Sequence, residues 1–294
     1  MKKFLTVFAM ILSLTAGSFS TASATDFLIG AKGGYFVWNS YLKRSGSSMF
    51  DSMENGDGQL YGPVFSALFT SDLSLSLSGL FGQQSANWTE MNFTREGSSD
   101  LISATYDVEI VRADVDTALS YRLSENFKLI AGYKYQYFNM TIEDAFYQRD
   151  GTTGGVEQGG YQKIDIKMPF HGPALGVGFS APVGEKFFFA ANLSALFMWG
   201  KFKFDNTEYY YDTSGTKDYS TGADMDGVTM KTRGLNCEPT IGASTGDGLP
   251  IVTFGIRFQW TQTKFYNAAP QSGLNDRWNN DYQYGLYVAV VQPI

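Results

Sequence analysis

Apolar and polar residues alternate along much of this chain, and short turns interrupt the alternation. The pattern predicts four hairpins: Leu60 to Phe81 around Thr70-Ser71-Asp72, Ile110 to Tyr137 around Ser124-Glu125-Asn126, Leu175 to Trp199 around Pro182 to Lys186, and Leu235 to Trp260 around Thr245 to Leu249. A period of two is typical of β-strands with one apolar and one polar face. Adding a first strand at 27–38 and a last strand at 282–294 predicts about ten strands.

Longer polar segments, rich in Gly, Asp, Ser and Thr, separate the hairpins and are predicted to be loops. They cover 39–58, 86–105, 139–167, 203–228 and 263–280. Short turns on one side and long loops on the other are typical of a transmembrane β-barrel, whose closure leaves no unpaired strand edge in the bilayer. The sequence therefore predicts an all-β fold: a single antiparallel transmembrane β-barrel with short periplasmic turns and long extracellular loops.

In the fourth, fifth and ninth strands the charged residues all fall on one face. The apolar face of such a barrel points to lipid, so the charged face is predicted to line the lumen. The predicted lumen network consists of Lys32, Arg112, Asp114, Asp116, Arg122, Lys134, Glu238 and Arg257. Buried charges are costly unless they are paired, so these mixed signs predict ion pairs that fill a narrow lumen. A selective pore lined by the same charges is the alternative.

The first residues have the pattern of a secretory signal peptide. Lys2 and Lys3 precede an apolar stretch from Phe4 to Leu14, and Ala22-Ser23-Ala24 supplies small residues for cleavage. The apolar stretch is far shorter than the roughly 18 residues that a spanning helix needs. We therefore predict a signal peptide over residues 1–24 and one barrel domain over residues 25–294.

Composition narrows the possible partners and chemistry. The 294 residues carry a net charge of −7, and removal of Lys2 and Lys3 makes it more negative, which argues against a nucleic-acid partner. Cys237 is the one cysteine, so no internal disulfide forms. The 24 Phe and 18 Tyr fit strands with a lipid-facing side, and the 32 Gly fit places where neighbouring backbones approach closely.

Aromatic residues recur at the predicted upper ends of the odd-numbered strands. Such residues form girdles at the headgroup boundary of a membrane, because an amphipathic ring is stabilised there. The predicted aromatic girdle consists of Trp38, Trp88, Tyr137, Trp199 and Trp260. Trp38 and Trp88 fall on the opposite phase from the other three, so a bulge or a loop position is needed to bring them to the lipid face.

With its signal peptide, short turns, long loops and closing strand from Tyr282 to Ile294, the chain resembles Gram-negative outer-membrane β-barrel proteins. The resemblance covers the architecture of the whole mature chain. It implies an integral outer-membrane location, with outer-membrane lipid and the assembly machinery as partners. In such proteins the last residue is usually aromatic, whereas here Ile294 follows Pro293.

The predicted strand number and the size also resemble the omptin proteases. Their mechanism places an Asp pair opposite an Asp-x-His unit at the extracellular rim, where the two activate a water molecule. The one histidine, His171, has its nearest preceding aspartate at Asp165, six residues away. Asp224-Met225-Asp226 has the spacing of the acidic pair. We predict that the protein is not an enzyme, with an omptin-like rim protease as an alternative.

The fourth long segment is the most acidic part of the surface and also carries several tyrosines. Its carboxylates are Asp205, Glu208, Asp212, Asp218, Asp224 and Asp226. They are interpreted as a hydrated acidic loop, with contact to Ca²⁺, Mg²⁺ or an extracellular ligand as the alternative. No resident metal or cofactor is predicted.

Function is predicted at the level of an outer-membrane barrel that acts through surface loops, by adhesion or ligand interaction, or that serves as a largely plugged structural barrel. A narrow ion- or solute-selective channel and a secreted soluble barrel are the alternatives.

Overall fold

The computed structural model describes residues 26–44, 53–94, 101–149, 156–211, 217–244, 249–267 and 277–294. The predicted signal peptide lies outside these residues. The strands are β1 Asp26–Asn39, β2 Gly56–Leu68, β3 Leu73–Thr94, β4 Leu101–Arg122, β5 Phe127–Arg149, β6 Val156–Val183, β7 Phe187–Tyr211, β8 Lys217–Ser244, β9 Ile251–Tyr266 and β10 Asn279–Pro293. One 3₁₀ turn, Tyr41–Arg44, follows β1.

Each strand pairs antiparallel with its neighbours in the chain, and β1 pairs with β10 to close the barrel. The closing ladder extends from Leu28 opposite Pro293 to Asn39 opposite Tyr282. Closure satisfies the backbone hydrogen bonds of both end strands and removes every free edge within the sheet. The prediction of a single all-β antiparallel barrel of ten strands is confirmed.

The turns between β2 and β3, β4 and β5, and β6 and β7 are short and lie where the alternation predicts them. Phe69 N donates to Leu73 O at 2.9 Å in the first, and Leu123 N donates to Phe127 O at 2.8 Å in the second. In the third, Gly184 has a φ of 79°, a left-handed conformation that favours glycine. β8 ends at Ser244 and β9 begins at Ile251, which agrees with the fourth predicted hairpin.

On the opposite side, much of the predicted loop sequence is paired strand. β5 and β6 remain paired up to Arg149 opposite Val156, and β7 and β8 up to Tyr211 opposite Lys217. The polar composition predicts irregular structure there, but a cross-strand ladder satisfies the backbone equally well in water. The part of 39–58 over 45–52 and the part of 263–280 over 268–276 lie outside the described residues.

Strand length divides the barrel into two parts. β3 to β8 contain 22 to 28 residues each, whereas β1, β2, β9 and β10 contain 13 to 16. Crossing a membrane takes about 9–11 residues of a tilted strand. The six long strands therefore continue well beyond the bilayer on the extracellular side, and we call their projecting parts the wall.

The membrane-facing surface is a continuous belt of apolar side chains on the outer face. Ile29, Leu119, Leu129, Leu175, Leu193, Ile241, Phe254, Ile256, Leu286 and Val288 are among its exposed members, each 44% to 60% accessible. An exposed apolar surface of this extent is stable only against lipid. No helix in the described ranges is both long enough and apolar enough to cross a membrane.

Candidate functional site in the barrel lumen

The lumen network is assembled from alternate residues of four strands and one residue of β1. On β4, Arg112, Asp114 and Asp116 follow one another at the inward positions, and register places Lys134 of β5 opposite Asp116. β9 supplies Arg257 and β8 supplies Glu238. β1, which lies beyond β10 in the closed sheet, supplies Lys32. Inward alternation on separate strands thus brings residues more than 200 positions apart together.

Arg257 is the centre of this network. Its guanidinium lies 3.7 Å from Asp114, 3.1 Å from Asp116 and 3.3 Å from Glu238. The Arg257 side chain is 1% exposed, so water provides little screening of these contacts. One cation therefore joins three carboxylates that would otherwise repel one another.

Three further ion pairs complete the layer. Arg112 contacts Asp114 through two nitrogens, at 3.0 Å and 3.1 Å, in a bidentate arrangement. Lys134 donates to Asp116 at 2.6 Å, and Lys32 donates to Glu238 at 3.0 Å. The charges of both signs lie within hydrogen-bonding distance, which is what makes their burial inside the barrel tolerable.

A layer of amides covers the charged layer on the extracellular side. Gln136 donates to Asp114 at 3.2 Å, and Gln259 donates to the side-chain oxygen of Gln136 at 3.1 Å. Gln283 accepts from Arg112, whose guanidinium also lies 4.5 Å from the centre of the Phe138 ring. The hydrogen bonds of the network therefore extend across the lumen from β4 and β5 to β9 and β10.

Asp281 connects the barrel to the 3₁₀ turn after β1. Its carboxylate accepts from Trp38 Nε1 at 2.6 Å, from the backbone N–H of Tyr41 at 3.2 Å and from the Thr261 hydroxyl at 3.3 Å. Trp38 lies at the end of β1 and Tyr41 begins the 3₁₀ turn, so two of the three donors belong to the segment that folds back over the lumen. Asp281 is thus placed to hold that segment against the inside of the barrel.

Replacing Asp281 with alanine is expected to destabilise the protein by about 1–3 kcal/mol, because the buried donors of Trp38 and Tyr41 lose their acceptor. Hydrogen exchange of the backbone amides of residues 41–44 should accelerate more than exchange in the ladder between β4 and β5. Asp72→Ala, at an exposed turn, is the control. Unchanged exchange at 41–44 would show that Asp281 does not anchor the turn.

A cluster of buried apolar side chains, which we call the plug, lies inside the barrel above the amides, and the alternation did not predict it. The Tyr41 ring lies 5.8 Å from that of Phe265 and 6.4 Å from that of Phe170. Its hydroxyl donates to Met168 Sδ at 2.8 Å. The plug residues, all at most 3% exposed, are Trp38, Tyr41, Leu42, Met53, Val108, Ile110, Phe138, Met140, Ile142, Ile164, Ile166, Met168, Phe170, Leu196, Met198, Phe202, Val228, Met230 and Phe265.

Two of the predicted site assignments are wrong. Arg122 is exposed and lines a recess of 210 Å³ at the turn end of the barrel, because β4 ends there and the lumen is already open to water. Trp38 is fully buried in the lumen, where its ring stacks on Phe138 at 4.7 Å, and is not part of a lipid-facing girdle. Its phase, shared with Lys32, was the signal that indicated this position.

Three of the other predicted girdle residues lie on the outer face of the barrel. Trp199 is 46% exposed on the outer face, and Tyr137 and Trp260 are partly exposed there. Trp260 also donates from Nε1 to Asn280 at 3.2 Å. The side chain of Trp88 lies outside the described set, so its membership of the girdle stays a prediction.

Little of the predicted acidic loop is described at the level of side chains. Asp205 is exposed on β7, and its backbone lies opposite Asp224 of β8. Asp212 lies outside the described residues, as do the side chains of Glu208, Asp218, Asp224 and Asp226. The residues with described side chains contain no group of three or more potential metal ligands.

The one histidine lies on the outer surface of the barrel. His171 Nδ1 is 2.5 Å from the hydroxyl of Tyr133, and its ring packs edge-on against Trp199 at 5.1 Å. All three residues share the lipid-facing phase of their strands. This position is separated from the lumen by the sheet, so His171 is not opposed to any lumen carboxylate.

The wall carries its own exposed ion pair. Lys163 of β6 donates to Glu143 of β5 at 2.8 Å. This hydrogen bond holds the pKa of Glu143 below its ordinary value and raises the pKa of Lys163. Both side chains are more than 40% exposed, so the pair contributes little to stability but fixes a charged feature of the extracellular surface.

The apolar outer belt, the closed antiparallel ladder and the ion pairs across the lumen define the class: the chain is an integral outer-membrane β-barrel. Among solved structures it is similar to the outer membrane protease OmpT from Escherichia coli, with 14% identity and a TM-score of 0.44 over 94% of this chain and 100% of that one.

Two further similarities are of the same kind. The Pseudomonas putida toluene transporter TodX matches with 11% identity and a TM-score of 0.39 over 93% of this chain and 91% of that one. The translocator domain of the Neisseria meningitidis autotransporter NalP matches with 8% identity and a TM-score of 0.39 over 97% and 95%. No protein-family model and no curated protein sequence matches the chain. At these values the similarities assign no function.

Proposed function

We propose that this protein is a non-enzymatic outer-membrane barrel with a closed lumen that acts through its extracellular wall, by contact with a ligand or another surface. The observation that carries the proposal is the continuous filling of the lumen. Ion pairs centred on Arg257 are followed by amides and then by the apolar plug.

The charged layer and the plug oppose ion passage in different ways. In the charged layer, Arg257, Arg112 and Lys134 make contacts of 2.6 to 3.7 Å with Asp114 and Asp116, which leaves no room for a hydrated ion between these partners. The plug has no charged member, so an ion would lose its hydration there without compensation. These layers together support a closed barrel more than a narrow channel.

The wall offers surface for contact outside the membrane. A groove of 870 Å³ lies at the base of its outer face, and its lining includes Asp57 of the neighbouring β2 together with Gln83, Glu109, Glu143 and Lys163. Higher on the wall, the rings of Tyr161 and Tyr209 lie 6.5 Å apart on neighbouring strands. Tyrosines beside polar groups are common where proteins bind one another or bind ligands.

The lumen proposal is tested by planar-bilayer conductance of the purified protein. We expect conductance at background level, because the plug and the ion pairs block the path. Replacing plug residues on the wall side, as in Phe202→Ala with Phe265→Ala, should leave conductance near background as long as the charged layer persists. Stable, ion-selective single-channel currents from the unchanged protein would contradict a closed lumen and favour the channel.

The wall proposal is tested by shortening one hairpin. Thr207 lies opposite Gly222, so rejoining the chain there removes the outer part of the β7–β8 hairpin and retains the register below it. Cells that display the unchanged protein should adhere to a panel of extracellular-matrix proteins more than cells with the shortened protein. Equal adhesion at equal surface amounts would argue against this hairpin as the contact surface.

The omptin-like alternative has less support. Its mechanism needs a histidine and carboxylates facing each other across the rim, whereas His171 lies on the lipid-facing side against Tyr133 and Trp199.

Assembly into the membrane is expected to use the outer-membrane assembly machinery, with the end of β10 as its recognition element. There Ile294 N donates to Phe27 O at 2.9 Å, which ties the last residue to β1.

A further inference from the structure

The recess of 210 Å³ at the turn end of the barrel, which we call the periplasmic recess, brings together hydrogen-bond donors from adjacent strands. Because the short turns of such a barrel are periplasmic, the recess opens toward the periplasm. Strand alternation places part of its lining on the same inward face as the lumen charges. These inward residues of β3 to β6 are Ser74, Ser120, Arg122, Lys128 and Ser180.

Two basic residues of the recess face each other without a counter-charge. Arg122 of β4 and Lys128 of β5 are directly opposite in the ladder, where like charges destabilise a sheet. Lys128 is partly buried, and a charge away from water is costly when it has no partner. None of the ion pairs within the described ranges includes either side chain. An anion bound between the two residues would turn this repulsion into attraction.

The three serines of the recess add hydroxyl donors beside the two bases. Ser74 of β3 and Ser120 of β4 are directly opposite in their ladder. One inward position deeper, the Ser76 hydroxyl donates to the backbone oxygen of Ala118 at 3.4 Å. Among the residues that the structure describes, the hydroxyls of Ser74, Ser120 and Ser180 have no such acceptor. These three hydroxyls are therefore available to an acceptor that enters the recess.

Hydrogen bonds between neighbouring turns and strands hold the recess in shape. Ser180 N donates to Asn126 O at 2.8 Å, and Asn126 Nδ2 donates to Ser180 O at 2.8 Å. In the same way, Arg122 N donates to Asp72 O at 2.7 Å. The β4–β5 turn is thus attached to β6, and the β2–β3 turn to β4. Donors fixed before a ligand arrives lose less conformational freedom on binding.

Two carboxylates also line the recess and restrict what it can bind. Asp72 and Glu125 belong to the turns at its mouth, and both are exposed. In the described part of the chain neither forms an ion pair with Arg122 or Lys128. Their charges are screened by water, whereas those of the two bases lie nearer the closed lumen. A ligand with a single charged group that reaches past the mouth therefore fits better than an extended polyanion.

We propose that the periplasmic recess binds a phosphate-type oxyanion, either free phosphate or the phosphate group of a small periplasmic molecule. Such a group carries up to two negative charges and at least three acceptor oxygens. The Arg122 guanidinium can bind two of these oxygens side by side, and Lys128 adds a point charge. The serine hydroxyls donate to the remaining lone pairs. The recess is on the lumen side of the sheet, which separates it from the lipid-facing belt.

The experiment titrates the refolded protein, in maltoside micelles free of phospholipid, into inorganic phosphate and separately into glycerol phosphate. Binding is measured as broadening of the phosphorus NMR resonance of the ligand at constant ionic strength. Saturable broadening is expected, and the tighter-binding probe of the two identifies the source of the phosphate group. Lys128→Gln should weaken binding roughly tenfold, the usual contribution of one hydrogen bond between charged groups. Arg122→Gln should weaken it by a similar factor.

The matched control is Lys186→Gln, the same change at an exposed lysine of the β6–β7 turn that does not line the recess. It should bind both probes as the unchanged protein does. Glu125→Gln should bind them more tightly, because it removes a repulsive charge from the mouth of the recess. Heat-modifiable migration in detergent gels shows that each variant is folded before its binding is compared.

Three results would overturn the proposal. Broadening that does not saturate with either probe would show that the recess is not a binding site. An equal loss of binding in Lys128→Gln and Lys186→Gln would indicate a nonspecific effect of net charge. Unchanged binding in both Lys128→Gln and Arg122→Gln would place the anion elsewhere on the protein.

Discussion

Replacing Arg257 with alanine is expected to lower the free energy of unfolding by about 3–5 kcal/mol, the usual cost of removing one partner from a buried charge network. Arg257 lies within 3.7 Å of three carboxylates and is 1% exposed. Its removal leaves Asp114, Asp116 and Glu238 close together with fewer cations to balance them. Urea titration of the refolded protein, monitored by its heat-modifiable migration in detergent gels, measures the loss.

The matched control for this prediction is Arg122→Ala, the same change on an exposed arginine at the end of β4. It should alter the free energy of unfolding by no more than about 0.5 kcal/mol, as is usual for surface positions. A small effect for Arg257→Ala as well would mean that water screens the lumen charges. Together with measurable conductance, that result would contradict the proposal of a closed lumen.

Asp116→Ala gives a graded version of the same test. The Asp116 side chain is 32% exposed, whereas that of Asp114 is fully buried. Asp116 accepts from Lys134 and Arg257, so its loss should still destabilise the barrel, but by less than the loss of Arg257. If Asp116→Ala were stable and produced an anion-selective channel, an open lumen would be the better description.

Placing arginine at Ile256 is expected to destabilise the folded protein in lipid by about 2–4 kcal/mol, the cost of a charge near the midplane on the lipid face of a barrel. Ile256 is 47% exposed in the middle of the belt on β9. Ala131→Arg, on the outer face of β5, should have a similar cost. Refolding titrations into phosphatidylcholine vesicles measure both.

Thr141→Arg is the control, because Thr141 shares the outer face of β5 with Ala131 but lies ten residues higher, on the wall. A charge there stays in water, and a cost of about 0–1 kcal/mol is expected near or beyond the interface. Equal effects of arginine at all three positions would show that the belt does not face lipid.

The sequence by itself determined the barrel, the order of its hairpins and the inside-outside assignment of most residues in the membrane-spanning parts of the strands. A period of two can place Ile256 on one face and Arg257 on the other without reference to any distant residue, because successive side chains of a strand point to opposite sides. Short turns such as Ser124-Glu125-Asn126 joined the runs in antiparallel order. The lumen position of Asp114 and Lys134 follows from the same alternation.

Composition was a poorer guide to the wall. Segments such as 139–167 contain many polar residues and glycines, which have low strand propensity, so they were interpreted as loops. Their strands continue because β5 and β6, already in register below, extend their ladder outward. Propensity describes the single residue, whereas the ladder depends on what lies opposite it.

Only the tertiary structure decided which charges meet and which apolar side chains pack inside the barrel. Arg257 contacts Asp116 across 141 positions of sequence, and Trp38 reaches Asp281 across 243, contacts set by the register of barrel closure. The plug had only a partial sequence signal: Trp38 and Phe138 continue the inward phases of Lys32 and Lys134, but apolar residues on both faces of the upper strands obscure the alternation. Closure of ten strands sets the diameter of the barrel, and at that diameter Tyr41 reaches Met168 on the opposite side of the lumen.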